Sequence, residues 1–321
     1  MSVKHPIIAV TGSSGAGTTT VKLAFEDVFR REGIQAAYVE GNAFRRFDRA
    51  TMKEVCQRAI ETGRPISHFG PEANLFDRLE GLFREYSRTG TGMVREYVQT
   101  LEMAVELGYL QGGFTPWREI PSGSDVLLYE GLHGACIEAT WTHRAMGPSH
   151  NPRVIRERRR LESVNDYGVD VARWVDLLVG VVPIINLEWI QKIYRDVNMK
   201  GASQEAVVAT ILRRMPDYLH YIVPQFSLSD INFQRVPTVD TSNPFSVVDV
   251  PAADESMTVI RFREPKRFDF PLLLSRLNGS FMSRPNTLVV PSGSLKQALE
   301  LTCTPIVHEL IQRKHTALQQ R

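Results

Sequence analysis

The sequence contains little cysteine and no long hydrophobic run. Three cysteines stand far apart among 321 residues, at Cys56, Cys136 and Cys303. Their odd number and wide spacing exclude a disulfide scaffold and a cysteine metal site, and favour a reducing cytosol. The longest apolar run, Leu177–Leu187, is interrupted by Pro183 and Asn186 and is too short to span a bilayer. The N-terminal residues lead directly into a strand without a signal-peptide pattern.

An excess of one charge is also missing, since 38 lysines and arginines stand against 36 acidic residues, for a net charge of +2. This balance argues against a nucleic-acid partner, and there are no repeats or low-complexity segments. One region differs in composition: residues 142–170 contain the basic run 153–160 and are interpreted as a surface insertion. That run is either a solvated basic face or a patch that contacts an anion or another subunit.

The most informative stretch is Ile7–Thr20, where a short apolar strand leads into a glycine-rich turn and then a helix. The turn has the phosphate-loop spacing G-x-x-x-x-G-K-[ST], but Thr18 stands in place of the lysine, and Thr19 occupies the hydroxyl position associated with Mg²⁺. Glycines allow successive N–H groups to surround phosphate oxygens, and the N-terminus of the helix attracts the same charge. A nucleotide triphosphate site is therefore predicted, the alternative being a glycine- and serine-rich turn without a ligand. The predicted site comprises Gly12, Ser13, Ser14, Gly15, Ala16, Gly17, Thr18, Thr19 and Thr20.

Strand and helix patterns alternate along the chain. Strands are predicted at Ile7–Thr11, Ala36–Glu40, Val126–Tyr129, Leu177–Pro183, Val259–Phe262 and Thr287–Val290. Helices are predicted at 20–32, 75–87, 187–198, 203–219 and 294–314. The continuous apolar strands favour an α/β fold, in one domain over residues 1–321, with a mostly parallel sheet covered by helices on both faces. Ligands in such sheets bind beyond the carboxyl ends of the strands.

Five further motifs accompany the loop: Tyr129–Gly134, Asn186–Ile193, Ile222–Ser227, Asp230–Pro237 and Val239–Phe245. Together with the threonine at position 18 they closely resemble phosphoribulokinases of the bacterial class, over almost the whole chain outside 142–170. The resemblance implies a P-loop NTPase-type fold with a mixed sheet. It also implies transfer of a phosphoryl group from ATP, with Mg²⁺, to D-ribulose 5-phosphate in the Calvin cycle. A homo-octamer that NADH activates and AMP inhibits is a further expectation.

The resemblance also implies roles for individual residues. Lys192 replaces the lysine that the loop lacks, its alternative being an ordinary surface lysine, and Glu130 joins Thr19 on the Mg²⁺ side, its alternative being a strand-end carboxylate. The catalytic set is Asn42, Lys192, Arg195 and Asp196. A second arginine pair, Arg213 and Arg214, is assigned to the nucleotide, with help to the substrate site as the alternative. The substrate set is Arg45, Arg49, Tyr97, Gln99 and Lys200, and the allosteric set for NADH is Arg31, Arg261 and Arg284.

The acceptor half of the site departs from the family pattern. The family loop reads Glu-Gly-Asp-x-Phe-His-Arg, and its aspartate takes the proton of the ribulose hydroxyl; here Asn42 and Arg45 replace the aspartate and the histidine. An amide accepts no proton at neutral pH. Gln99 replaces the histidine of a Tyr-Val-His motif, and Tyr194 replaces the histidine of a Lys-Ile-His-Arg-Asp run.

These departures leave three hypotheses open: a phosphoribulokinase, a kinase for another sugar phosphate, and a regulatory homologue that binds nucleotide without efficient transfer. Asp48, in the same loop as Asn42, is a candidate for a substitute base. Arg45 strengthens the binding of an anionic acceptor under each of the kinase hypotheses.

Overall fold

Eight strands form the central sheet of the computed structural model, which describes residues 4–13, 17–63, 66–138, 168–199, 201–246 and 249–319. In chain order the strands are β1 (Ile7–Gly12), β2 (Ala36–Glu40), β3 (Met93–Val94), β4 (Arg118–Glu119), β5 (Val126–Gly131), β6 (Leu177–Pro183), β7 (Ile231–Pro237), β8 (Ser256–Phe262), β9 (Phe281–Arg284) and β10 (Thr287–Pro291). The sheet order is β2-β5-β1-β6-β7-β8-β10-β9, and β3 pairs with β4 in a separate hairpin. Strands β2, β5, β1, β6 and β7 are mutually parallel, and β8, β10 and β9 continue the sheet with antiparallel pairings.

Nine α-helical segments accompany the strands in the described residues. They are α1 (Thr18–Glu32), α2 (Arg49–Glu61), α3 (Phe76–Thr89), α4 (Leu101–Leu107), α5 (Ile185–Tyr194), α6 (Gln204–Asp217), α7 (Val223–Phe226), α8 (Phe270–Arg276) and α9 (Leu295–Gln319). Short 3₁₀ turns lie at 41–44, 172–174, 265–267 and 292–294, and π-helical turns lie at 195–199 and 218–222. None of the helices in the described ranges has the length and apolar character needed to cross a membrane.

Both faces of the sheet are buried, as the alternation along β1 shows. Ile8 and Val10 join the core beneath α1 and α9, whereas Ile7 and Ala9 join the core beneath α3. Successive side chains of a strand point to opposite faces, so one apolar strand contributes to both cores. The α/β class, the mixed and mostly parallel sheet and the helices on both faces are therefore confirmed.

Six of the eight strands of the central sheet were predicted from the sequence. Two strands, Ala36–Glu40 and Leu177–Pro183, have the predicted bounds. The helix predicted at 187–198 is wrong at its end, because the α-helix stops at Tyr194 and a π-helical turn follows. The strand β7 was not predicted, since its half-buried polar positions interrupt the apolar pattern. Of the predicted insertion, 142–167 lie outside the described residues, whereas Asp170 forms a bridge with Ile137.

Candidate active site

The predicted phosphate loop begins where β1 ends and stops where α1 begins. A Cβ atom added to Gly12 would lie 2.5 Å from the carbonyl oxygen of Val181, so no larger residue fits there. Gly17 has a φ of 101°, in the left-handed region, and immediately precedes Thr18, the first residue of α1. Within the described part of the loop no side chain caps α1, which leaves its first N–H groups for an anion. Ser14, Gly15 and Ala16 lie outside the described residues.

The two residues predicted for magnesium, Thr19 and Glu130, both carry side-chain oxygens. Thr19 is exposed in the first turn of α1, and Glu130 lies near the carboxyl end of β5, in register with Glu40 on β2. Lys22 donates to Glu40 at 3.1 Å, whereas the described residues contain no ion pair to Glu130. A hydroxyl and a carboxylate are ligands that Mg²⁺ accepts, with substrate phosphates and water completing its shell. No group of three or more His, Cys, Asp or Glu side chains that could hold a metal ion occurs in the described ranges.

Helix α5 brings together the three predicted charged residues of its motif. The ammonium group of Lys192 forms an ion pair with the Asp196 carboxylate one turn later. Arg195 donates from Nε to the other oxygen of Asp196 at 3.3 Å. Asp196 therefore fixes two cations at the carboxyl end of α5, where the π-helical turn begins.

The half-buried carboxyl of Glu188 on α5 lies close to the phosphate loop. It lies one turn before Lys192, and the hydroxyls of Ser13 and Tyr218 lie near it. Burial raises the pKa of Glu188, while those hydroxyls and the charges of Lys192 and Arg195 oppose the shift. The sequence reasoning missed this role, although Glu188 lies within the motif that carries Lys192.

A cleft of about 450 Å³, which we name the acceptor cleft, opens beside the turn 41–44 and α2. Four arginines and a lysine line it: Arg45, Arg49, Arg213, Arg214 and Lys53. Asp48 is the single carboxylate in that lining, and its Oδ1 accepts a hydrogen bond from the Thr51 N–H at 2.7 Å. This bond caps α2 and lowers the pKa of Asp48. The cleft is therefore suited to an anion, and Asp48 is a weak proton acceptor.

The predicted acceptor residues meet at the edge of this cleft. The Asn42 amide donates from Nδ2 to Oε1 of Gln99 at 3.3 Å, and Arg49 donates to the Gln99 carbonyl at 3.1 Å. The Arg45 guanidinium stacks on the Tyr97 ring, 4.9 Å from its centroid. The three residues that depart from the family pattern here, Asn42, Arg45 and Gln99, thus lie in one contact group. Lys200 lies outside the described residues.

Arg214 lines the acceptor cleft and also a smaller cavity with Lys192 and Glu188. Arg213 and Arg214, which the sequence analysis assigned to the nucleotide, therefore lie among the residues predicted to bind the acceptor. His68 also lines the acceptor cleft, and the sequence reasoning missed it. The pKa of its imidazole reflects the positive charge of this region. Burial, together with the charges of Arg214, Arg45 and Lys192, lowers the pKa of His68 to about 3. A histidine in a loop gives no pattern that would have predicted this position.

The three predicted allosteric arginines do not form one contact group. Arg261 on β8 and Arg284 on the edge strand β9 both align with Thr287 of β10, which lies between them, and both are exposed. Arg31, in the last turn of α1, instead pairs with Glu300 of α9 at 2.9 Å.

Comparisons with known proteins identify the family of this chain. Residues 7–146 and 163–242 match the model of the phosphoribulokinase / uridine kinase family. A chromosomal phosphoribulokinase of Cupriavidus necator is 51% identical over 320 residues, covering 99% of this chain and 100% of that protein. A phosphoribulokinase of Nitrobacter vulgaris is 50% identical, covering 98% and 99%. The solved structure of a phosphoribulokinase from Rhodobacter spheroides superimposes with a TM-score of 0.82 at 48% identity, covering 98% of this chain and 100% of that one.

Proposed function

Because the chain belongs to the phosphoribulokinase / uridine kinase family and is a kinase, we propose that it transfers the γ-phosphoryl group of ATP to D-ribulose 5-phosphate. The products are ADP and ribulose 1,5-bisphosphate, as in the Calvin cycle. The observation that carries the proposal is the pairing of a phosphate loop with a separate arginine-lined cleft of about 450 Å³. The identity of the acceptor is inferred from the full-length relatives, which are named phosphoribulokinase.

On the donor side, the loop and the start of α1 hold the triphosphate, with Thr19 and Glu130 toward the metal. Mg²⁺ bound with ATP neutralises phosphate charge. Lys192 provides the cation that Thr18 does not, held in place by Asp196. Phosphoryl transfer depends mainly on positioning and on neutralising the equatorial oxygens, and this chain's lysine and arginine side chains suit that task.

On the acceptor side, Arg45, Arg49 and Lys53 hold the 5-phosphate at the α2 wall of the acceptor cleft. Arg213 and Arg214 lie in the same lining, contributed by α6, and Arg214 adjoins the cavity of Lys192. We assign Arg214 to the space between donor and acceptor. Planar guanidinium groups bind phosphate through two parallel hydrogen bonds, which fixes the orientation of the sugar.

Asn42 orients the attacking hydroxyl without accepting its proton. In a loose transition state little proton transfer is needed before the phosphorus–oxygen bond to ADP breaks. The proton then leaves to the transferred phosphoryl group or to water. A positioned base contributes about 10²–10⁴-fold, so we expect turnover reduced by that order relative to a site with a carboxylate.

The test is an assay of ADP release with ATP, Mg²⁺ and a panel of sugar phosphates. Ribulose 5-phosphate should raise ADP release above the rate without an acceptor. A higher kcat/KM for another phosphorylated sugar would replace the proposed acceptor. Equal rates with and without every acceptor would instead favour the second candidate, a regulatory homologue that binds nucleotide. The hydrogen bond between Asn42 and Gln99 is the observation that favours this candidate. Two amide side chains stand at the position where the family pattern has its base.

Three finer properties belong to the same proposal. We expect a homo-oligomer located in the cytosol, and NADH as an activator through Arg261 and Arg284. Both align with Thr287 of the intervening strand β10 and both are exposed, which supports a shared anion contact. Gel filtration and activity with and without NADH test these properties, and Arg284→Ala should remove activation while leaving basal turnover unchanged.

A further inference from the structure

A second cavity, of about 470 Å³, lies on the exposed face of α3 and shares no lining residue with the acceptor cleft. Three arginines of α3 line it, Arg78, Arg84 and Arg88, together with Met93 and Trp117. Two carboxylates, Asp77 and Glu85, complete the charged lining. Within the described part of the chain, none of these arginines lies in an ion pair. Arg88 stacks on the Trp174 ring at 5.9 Å, a contact that leaves its guanidinium N–H groups for a ligand.

Gly81 distinguishes this cavity from an ordinary charged face of a helix. It lies in the middle of α3, where glycine costs a helix about 1 kcal/mol relative to alanine. A Cβ atom added there would have no heavy atom within 4 Å, so packing does not require glycine. Its backbone is also not in the left-handed region. What glycine provides at this position is free space in the lining of the cavity.

The aromatic wall of the cavity is in contact with the acceptor loop. Arg78 stacks against Trp117 at 5.8 Å, and Arg95 stacks on the same ring at 4.7 Å. Arg95 donates from Nε to the carbonyl of Ala43 at 2.8 Å and also donates to the carbonyl of Arg45. A group that displaces the Trp117 ring must therefore act on the turn that carries Asn42 and on the residue that follows it.

We propose that this cavity binds an aryl phosphate and that its occupation alters binding at the acceptor loop. The arginines hold the phosphate through charge-assisted hydrogen bonds, which are about twice as strong as neutral ones. The ring lies against Trp117 and Met93, the latter with 42% of its surface exposed. The volume of the cavity lies within the range of small-ligand sites.

Calorimetric titration of the full chain with phenyl phosphate tests the site without any reference to activity. Phenyl phosphate should bind at least tenfold more tightly than inorganic phosphate, and Arg84→Ala combined with Arg88→Ala should weaken it at least tenfold. Arg276→Ala, at an exposed arginine of α8, is the matched control and should have no effect. Gly81→Gln should raise the melting temperature while weakening binding, a combination that damage to the fold cannot give.

Three outcomes overturn the site. They are the absence of binding at millimolar phenyl phosphate, equal affinity for inorganic phosphate, and weakening by Arg49→Ala in place of the α3 variants. The coupling is tested separately and rests on the proposed function. Saturating phenyl phosphate should change the KM for ribulose 5-phosphate but not for ATP, and Gly81→Gln should abolish the change. Binding with an unchanged KM contradicts the coupling, whereas failure of the kinase assay leaves the binding result intact.

Discussion

The Asn42 amide donates a hydrogen bond to Oε1 of Gln99 across 3.3 Å, so the residue at the position of the expected base is held by a second amide. Replacing Asn42 by aspartate restores a proton acceptor of nearly the same shape. Rotation of the Gln99 amide turns its NH₂ group toward the new carboxylate, which keeps the contact. We expect Asn42→Asp to raise kcat for ribulose 5-phosphate by about 10²–10⁴-fold, measured as ADP release.

Asn42→Ala is the control for this change, because it removes the hydrogen bond without supplying a base. It should lower kcat/KM rather than raise it. If the aspartate variant is no faster than the wild type, the acceptor pocket is not that of a base-assisted kinase. If Asn42→Asp instead raises kcat for a different sugar phosphate, that sugar phosphate replaces ribulose 5-phosphate as the proposed acceptor.

The sequence was sufficient to predict six of the eight strands of the central sheet, without β7 and β9, and the grouping of the acceptor residues. Strands such as Leu177–Pro183 are continuous apolar runs, and burial on both faces requires that composition. Asn42, Arg45 and Gln99 were predicted together from a resemblance, and the structure places them in one contact group. Their catalytic and binding roles stay predictions.

Other features depend on packing that a linear pattern does not record. His68 is in a loop, and its low pKa arises first from burial and then from charges such as those of Arg214 and Lys192, which lie far away in the chain. The contact of Glu188 with Ser13 joins a helix to a loop about 175 positions earlier. Asp48 carries a carboxylate, as a base would, but the hydrogen bond that it accepts from the Thr51 N–H makes it a helix cap.

Lys192 is expected to be essential for transfer and dispensable for folding. Its ion pair with Asp196 is partly exposed, so losing it should have a small effect on stability. Cations at the transferring phosphoryl group contribute about 10³–10⁵-fold in related enzymes. Lys192→Met should therefore lower kcat by at least about 10³-fold, with an unchanged melting temperature. Lys266→Met, in the turn 265–267, is the control, and equal turnover in the two variants would remove Lys192 from the mechanism.

Asp48 should act as a helix cap and not as a base. Asparagine caps helices about as well as aspartate, whereas alanine costs about 0.5–2 kcal/mol. Asp48→Ala should lower the free energy of unfolding by that amount, and Asp48→Asn should change it little. Both variants should retain transfer, because the hydrogen bond from Thr51 already lowers the pKa of Asp48. A loss of more than about 10²-fold in kcat in both variants, measured by ADP release, would identify Asp48 as the base instead.

His68 should make the protein less stable as the pH falls below about 6.5. Burial, with the charges of Arg214, Arg45 and Lys192, lowers the pKa of His68 to about 3 in the folded protein. The unfolded chain binds a proton near pH 6.5 that the folded protein refuses, so the free energy of unfolding falls between pH 6.5 and 3. Between pH 7 and 5.5 this loss is about 1 kcal/mol. Urea unfolding of His68→Gln at both pH values should show a pH-dependent loss smaller by that amount. The same substitution at His315, which is exposed on α9, is the control. An identical loss in His68→Gln and the wild type would mean that His68 is protonated in the folded state.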